Sequence, residues 1–169
     1  MRRQRVFVAV VLLAGVALFL VYRRGQDGEA QRIRRRVEDL ARVLCVQSGE
    51  SPISRAAKAN RAAGFFVPAV TVDLAMTGWE PYAIEGRDNL RDTLLAVLGR
   101  VQSSSVEFLD VLVHLDADRS GAEAEAHFTA RVGVPGERGF DAQEFKMRMV
   151  REGDTWMIAA VRTVKTIGR

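Results

Sequence analysis

Ala122-Glu123-Ala124-Glu125-Ala126-His127-Phe128-Thr129-Ala130-Arg131-Val132-Gly133-Val134 is the stretch on which the fold turns. Ala122, Ala124, Ala126, Phe128, Ala130 and Val132 fall on alternate positions. Glu123, Glu125, His127, Thr129 and Arg131 fill the positions between. A period of two belongs to a strand with one buried and one solvated face; on a helix both sets would scatter around the cylinder. Strand-like segments lie on both sides. Val106 to Asp116 alternates, with Leu109, Val111, Val113 and Leu115 expected on one face and Asp110 on the other with Phe108, Leu112 and His114. Phe140 to Arg151 and Thr155 to Thr166 follow. Turn chemistry separates the segments: Asp116 to Gly121, Pro135-Gly136 and Glu152-Gly153-Asp154. Residues 106–166 therefore read as a long antiparallel meander.

Upstream the period changes. Ile33, Val37, Leu40, Ala41 and Leu44 recur at helical spacing, which predicts a helix from Glu29 to Gln47 with Gly49 at its C-cap. Ser51-Pro52 is an N-cap followed by proline at the first helical position, opening an alanine-rich helix that stops near Gly64. Val70 to Leu74 is a β-branched strand. A loop with Gly78, Trp79 and Pro81 leads to an extended piece, Tyr82 to Glu85. Gly86 then precedes a third helix, Arg87 to Val101, striped by Leu90, Leu94, Val97, Leu98 and Val101. Helices first and a meander last is an α+β pattern.

Three segments carry a resemblance to the nuclear transport factor 2-like superfamily, which includes the SnoaL-like domains. Phe66-Val67-Pro68-Ala69-Val70-Thr71-Val72 resembles the passage from second helix to first strand. Ile84-Glu85-Gly86-Arg87-Asp88-Asn89-Leu90 resembles the strand, glycine and third-helix start. Arg151-Glu152-Gly153-Asp154-Thr155-Trp156-Met157-Ile158 resembles the final hairpin, where Trp and Ile pack inward. The resemblance spans about residues 30–167 and implies a cone in which a curved antiparallel sheet wraps about three helices. It also implies where chemistry would sit. In the ketosteroid isomerase branch a carboxylate at the end of the first strand moves a proton, beside a tyrosine and a protonated acid. In this sequence that position falls on Leu74, and its neighbour Asp73 is expected to point away from the cone. Asp73, Trp79, Tyr82 and Phe128 are the ligand-pocket candidates, with Trp79 and Tyr82 in the loop that borders the cone mouth and Phe128 on the inward sheet face. Glu123, Glu125, His127 and Arg131 are the interface candidates, on the outward sheet face, for a homodimer or a membrane-protein partner.

Other chemistries find little support. His114 and His127 are separated in sequence, without His-x-x-x-His, a Cys pair or an acid cluster at ligand spacing, so no metal site is expected. An Asp110–His114 pair four residues apart on a strand would be about 13 Å apart, too far for direct proton transfer. Ser103-Ser104-Ser105 has no adjacent base and reads as a loop. No glycine-rich phosphate loop or dinucleotide fingerprint occurs, and no cofactor is expected. Two functional readings remain: a non-catalytic interaction or assembly domain, and a small-molecule-binding or isomerase-like enzyme using the cone cavity.

The N-terminus sets the expected location. Val6 to Tyr22 is 17 residues with no polar side chain but the Tyr22 phenol, preceded by Arg2, Arg3 and Arg5 and followed by Arg23 and Arg24. As a helix it would span about 25 Å, the short end of what crosses a hydrocarbon core of about 30 Å. A cleaved signal peptide would be shorter and would end in a small-x-small site, which Leu20-Val21-Tyr22-Arg23-Arg24 lacks. The expected organisation is thus a basic tail and transmembrane anchor over 1–24, a linker over 25–29 and a nuclear transport factor 2-like domain over 30–169. Arginines after the apolar run argue for a cytoplasmic domain by the positive-inside count. Export behind a signal anchor argues for the outer side of a bacterial inner membrane, which is the expectation adopted. In layout this is similar to the bitopic subunits of type IV secretion systems.

The formal net charge of +4 hides a division. Residues 1–36 hold nine arginines and two acids, whereas residues 37–169 hold 16 basic and 19 acidic residues. Positive charge gathers where anionic lipid headgroups would attract it. The globular part has no basic patch interleaved with aromatics, so nucleic acid is not an expected partner. The single cysteine, Cys45, permits no intrachain disulfide.

Overall fold

A computed structural model describes residues 28–75, 80–116, 122–134 and 140–164. The apolar run 6–22, Trp79, and most of the turns at 116–121 and 135–136 lie outside the described residues. Among the described residues no helix is long and apolar enough to cross a membrane.

Helix α1 occupies residues 28–44, so Gly28 and Glu29 are already helical. Ile33, Val37, Leu40 and Ala41 are buried while Arg32, Arg34 and Arg35 face solvent. It stops three residues before the expected Gln47. The reason is local: Val46 exchanges backbone hydrogen bonds with Ser104, N–H to O at 3.0 and 2.9 Å, which a helical Val46 could not do. Gly49 sits in a later turn at φ 78° and does not cap α1. Helix α2, Pro52–Ala63, begins as its sequence requires, with the Ser51 hydroxyl accepting the Ser54 N–H at 3.2 Å. Its alanines Ala59, Ala62 and Ala63 are buried.

Strand β1, Phe66–Leu74, starts four residues before the expected Val70. Pro68 lies in an irregular stretch between the Phe66↔Ile158 and Thr71↔Ala160 pairings, where its missing N–H breaks no ladder bond. Strand β2, Tyr82–Glu85, pairs antiparallel with β1, and helix α3, Arg87–Arg100, follows directly. Leu90 and Leu98 of α3 are buried, but Val97 is 51% exposed and falls outside the expected stripe. The meander comprises β3 (Ser105–Leu115), β4 (Glu123–Gly133), β5 (Phe140–Glu152) and β6 (Thr155–Thr163). The six-stranded sheet has the order β2-β1-β6-β5-β4-β3. One pair, β1–β6, is parallel, which their separation by α3 and the whole meander allows.

One residue swaps the expected faces of Phe108 and Leu109 on β3 and leaves those of Val111 to Leu115 as expected. Leu109 pairs with Thr129 but Leu112 pairs with His127, so three steps on β3 match two on β4. Asp110 lies in this bulge at φ 54°. Before it, Phe108 pairs with buried Ala130 and faces inward, while Leu109 joins the outward face. After it, Val113 and Leu115 face inward opposite Ala126 and Ala124. Phe108 is therefore on the side opposite Leu112 and His114, contrary to unbroken alternation.

The core joins α1 (Ile33, Val37, Leu40) to the inner faces of β4, β5 and β6 (Ala126, Met147, Met149, Ile158). Trp156 is 3% exposed within it. Arg36 closes one side, its guanidinium 4.0 Å over the Phe65 ring; burial lowers its pKa, an effect Asp39 partly opposes.

Candidate functional site

Strand pairing builds the outer face of the meander in rungs. Glu107 lies beside Arg131, and Leu109 beside Thr129 and Glu144. Leu112 lies beside His127 and Lys146, and His114 beside Glu125 and Arg148. Glu125 centres the array. It pairs with Lys146, and its Oε1 lies 3.0 Å from His127 Nε2. The Lys146 bond chiefly, with help from His127, holds the Glu125 carboxyl below its usual pKa. The His114 and His127 rings, 13 residues apart in sequence, meet edge to face at 5.9 Å. Arg131 Nη1 lies 3.8 Å from Glu107 Oε2. Leu112, 58% exposed, stands among these charged groups, with half-buried Leu109 on the same face.

Two depressions flank the histidine pair. One of about 250 Å³ lies among His114, Glu123, Glu125 and Arg148; another of about 330 Å³ lies among Asp110, Leu112, His127 and Glu144. The structure thus gathers Glu123, Glu125 and His127 on one surface, with Arg131 two rungs away. It adds His114, which the sequence offered only as a metal ligand or a partner of Asp110, and three residues that sequence reading overlooked: Glu144, Lys146 and Arg148. The β5 residues carried a readable signal, since Glu144, Lys146 and Arg148 alternate with Phe145, Met147 and Met149.

The pocket candidates do not form one site. Phe128 is a core ring, 5% exposed; its centroid lies 4.5 Å from that of Phe108 and 5.7 Å from that of Phe145. It borders the second depression from within, away from Asp73 and Tyr82. Asp73 is exposed, opposite Ala83 and Arg162, whereas its neighbour Leu74 packs against the core. Trp79 lies outside the described residues. Tyr82, 52% exposed, borders a cavity of about 470 Å³ between β2 and α3 with Glu85, Asn89, Asp92 and Thr93. Among the described residues every buried side chain is apolar, and no group of three or more His, Cys, Asp or Glu is placed to hold a metal.

A curved sheet wrapped on three helices in this order defines the nuclear transport factor 2-like class. The chain belongs to the SnoaL-like domain family, whose model matches residues 35–162. Solved structures share the fold at low identity. A Novosphingobium aromaticivorans protein with a provisional scytalone dehydratase name is 18% identical, covers 84% of this chain and 87% of its own, and has a TM-score of 0.64. A nuclear transport factor 2-like protein of unknown function from Pseudomonas putida is 13% identical, with 84% and 89% coverage and a TM-score of 0.63. A nuclear transport factor 2-like protein from N. aromaticivorans, described as having a cystatin-like fold, is 13% identical, with 89% and 90% coverage and a TM-score of 0.63. No curated protein matches the chain.

Proposed function

We propose that this chain is a membrane-tethered interaction domain that acts by docking, without catalysis. The observation that carries the reading is the contrast between the two faces of the sheet. Its inner face is filled by Met147, Met149, Phe128 and alanines, an arrangement with little to polarise a substrate. Its outer face sets exposed Leu112 among Glu107, Glu125, His127, Arg131, Lys146 and Arg148. Charges of both signs around an apolar centre match a second copy related by a two-fold axis, or a membrane-protein partner of like patterning. Residues 6–22 and their flanking arginines hold the domain to lipid at a bacterial inner membrane, on the outer side.

The test compares two variant sets in the full chain by sizing and partner pull-down. Charge reversal at Glu125 and Arg131 is expected to weaken association, while alanine at Asp73 leaves it unchanged. Loss of function on replacing Asp73 or Asp110 in a folded chain, with the outer-face variants behaving as wild type, would favour an isomerase-like enzyme instead. A compartment-sensitive reporter fused to the C-terminus checks the side of the membrane; a cytoplasmic signal reverses the topology. The small-molecule reading draws its support from the Tyr82 cavity, whose volume falls in the range of ligand sites.

A further inference from the structure

β2 is one edge of the sheet, at the far end of the strand order from β3, the outer strand of the proposed docking face. Its hydrogen-bonding sides follow from one bond. Gly86 N–H donates to Val70 O at 2.8 Å, and β1 and β2 continue in register through Thr71↔Glu85, Val72↔Ile84, Asp73↔Ala83 and Leu74↔Tyr82. Antiparallel rungs alternate between bonded and non-bonded pairs. Ile84 and Tyr82 therefore bond to β1, and the N–H and C=O groups of Ala83 and Glu85 point to the open side. The Glu85 carbonyl accepts Asn89 Nδ2–H at 2.7 Å. Among the described residues both groups of Ala83 and the Glu85 N–H are left as a short template for another strand.

α3 forms the opposite wall. Asn89, Asp92, Thr93 and Ala96 stand at i, i+3, i+4 and i+7, one stripe along the helix, and border the 470 Å³ cavity with Tyr82 and Glu85 across from them. Protein edges are commonly blunted by brevity, charge, proline or a bulge. Tyr82-Ala83-Ile84-Glu85 is short and carries the Glu85 carboxylate, but it has no lysine, proline or bulge to bar a basic strand. The ionised groups of the cavity lining are the carboxylates of Glu85 and Asp92. Arg91 sits 2.9 Å from Asp92 and offsets part of that charge; among the described residues Glu85 makes no ion pair.

We propose that the groove between the open edge of β2 and the polar stripe of α3 is a strand-addition site for an extended, lysine- or arginine-bearing peptide of a partner protein. The peptide backbone pairs with Ala83 and Glu85. An alternate side chain enters the cavity, where its cation meets Glu85 and Asp92. Backbone pairing supplies binding and the two carboxylates supply the choice of sequence.

The probe is a capped nine-residue peptide of alternating threonine and lysine, titrated into the full chain in neutral detergent and followed by amide NMR. Two further peptides accompany it, one N-methylated along its pairing edge and one with glutamate replacing lysine. Saturable shifts centred on Ala83 and Glu85 are expected with the lysine peptide. N-methylation should weaken binding about tenfold or more, the scale of losing one or two backbone hydrogen bonds. Ala83→Pro should do the same, because it removes an outward N–H and leaves the bonds of Tyr82 and Ile84 to β1 intact. Glu85→Gln with Asp92→Asn should erase the preference for lysine over glutamate. Equal binding of the N-methylated peptide would overturn the proposal and leave a simple amine site. Absence of saturable binding at millimolar peptide would overturn it altogether. Should Ala83→Pro fail to fold, the N-methylated comparison on the unaltered chain decides.

Discussion

Trp156→Ala tests the register of the whole carboxyl-terminal half. The ring is 3% exposed and belongs to the main core, and its Nε1–H donates to Glu29 Oε2 at 2.8 Å. Truncating a core tryptophan costs about 3–5 kcal/mol. A hydrogen bond to a charged partner contributes about 1.5–3 kcal/mol. The lower part of that range applies, because Glu29 keeps Arg32 at 2.9 Å and Arg151 at 3.8 Å and is itself partly solvated. The expected loss is about 4–6 kcal/mol, a large share of the 5–15 kcal/mol typical of a whole domain. With a urea dependence of about 2 kcal/mol per molar, the midpoint should fall by about 2–3 M. Urea unfolding of the full chain, followed by far-ultraviolet circular dichroism, measures it. Trp156→Phe keeps most of the ring but loses the donor and should cost about 2 kcal/mol. Combined with Glu29→Gln in a double-mutant cycle, it isolates a coupling of about 1 kcal/mol. A midpoint shift under 0.5 M for the alanine variant would refute the burial of Trp156, and no coupling would refute the clamp between α1 and β6.

Three further outcomes are expected. Gly86→Ala should destabilise by about 1–3 kcal/mol although its Cβ would meet only Pro68 O at 3.9 Å, because φ 85° with ψ 146° is a backbone region open to little but glycine; a thermal melt equal to wild type would refute this. Arg55 donates from Nη1 to the carbonyls of Leu98 at 3.1 Å and Val101 at 2.7 Å, and from Nη2 to that of Gln102 at 3.3 Å, closing the end of α3. Arg55→Lys should therefore lose about 1–2 kcal/mol in denaturant titration, since a single ammonium cannot reproduce the planar fork. Glu50 is held at a pKa of about 2, chiefly by Lys58 Nζ at 2.8 Å and then by the Ser54 hydroxyl at 2.6 Å. Its contribution is present above the unfolded pKa and is lost as pH falls through about 2. Glu50→Gln should flatten the stability profile between about pH 4.5 and 2, measured by melting across that range.

The elements were legible wherever one physical signal dominated. Ser51-Pro52 opens α2 because a hydroxyl cap and a pre-set φ satisfy the same helix start. Clean alternation from Ala122 to Val132 became β4, with Ala124, Ala126, Phe128 and Ala130 buried. Boundaries set by distant partners were not legible. Nothing local to Val46 announces that Ser104 will draw it out of α1, or that Phe66 will begin β1 by pairing with Ile158. The polar groove at β2 was missed for a related reason. Glu85 and Asn89 straddle a strand-to-helix junction, so neither a period of two nor one of 3.6 unites them.

The docking face shows how little sequence separates two opposite surfaces. Uninterrupted alternation along β3 would place Leu109 in the core and Phe108 outside with Leu112 and His114. The extra residue at Asp110 instead admits Phe108 to the Phe128 ring and keeps Leu112 and His114 outside beside His127. An inserted residue is hard to see because each half of the strand alternates well by itself. Its consequence is chemical as well as geometric. Only with the bulge do the two histidines meet across the neighbouring rungs that hold Glu125 and Lys146, next to an exposed leucine. Deleting Asp110 would remove the offset and turn either Phe108 or the Leu112–His114 segment to the wrong face. The face proposed for docking therefore depends on a residue that touches none of its ion pairs, and a charge-by-charge mutational scan would pass over it.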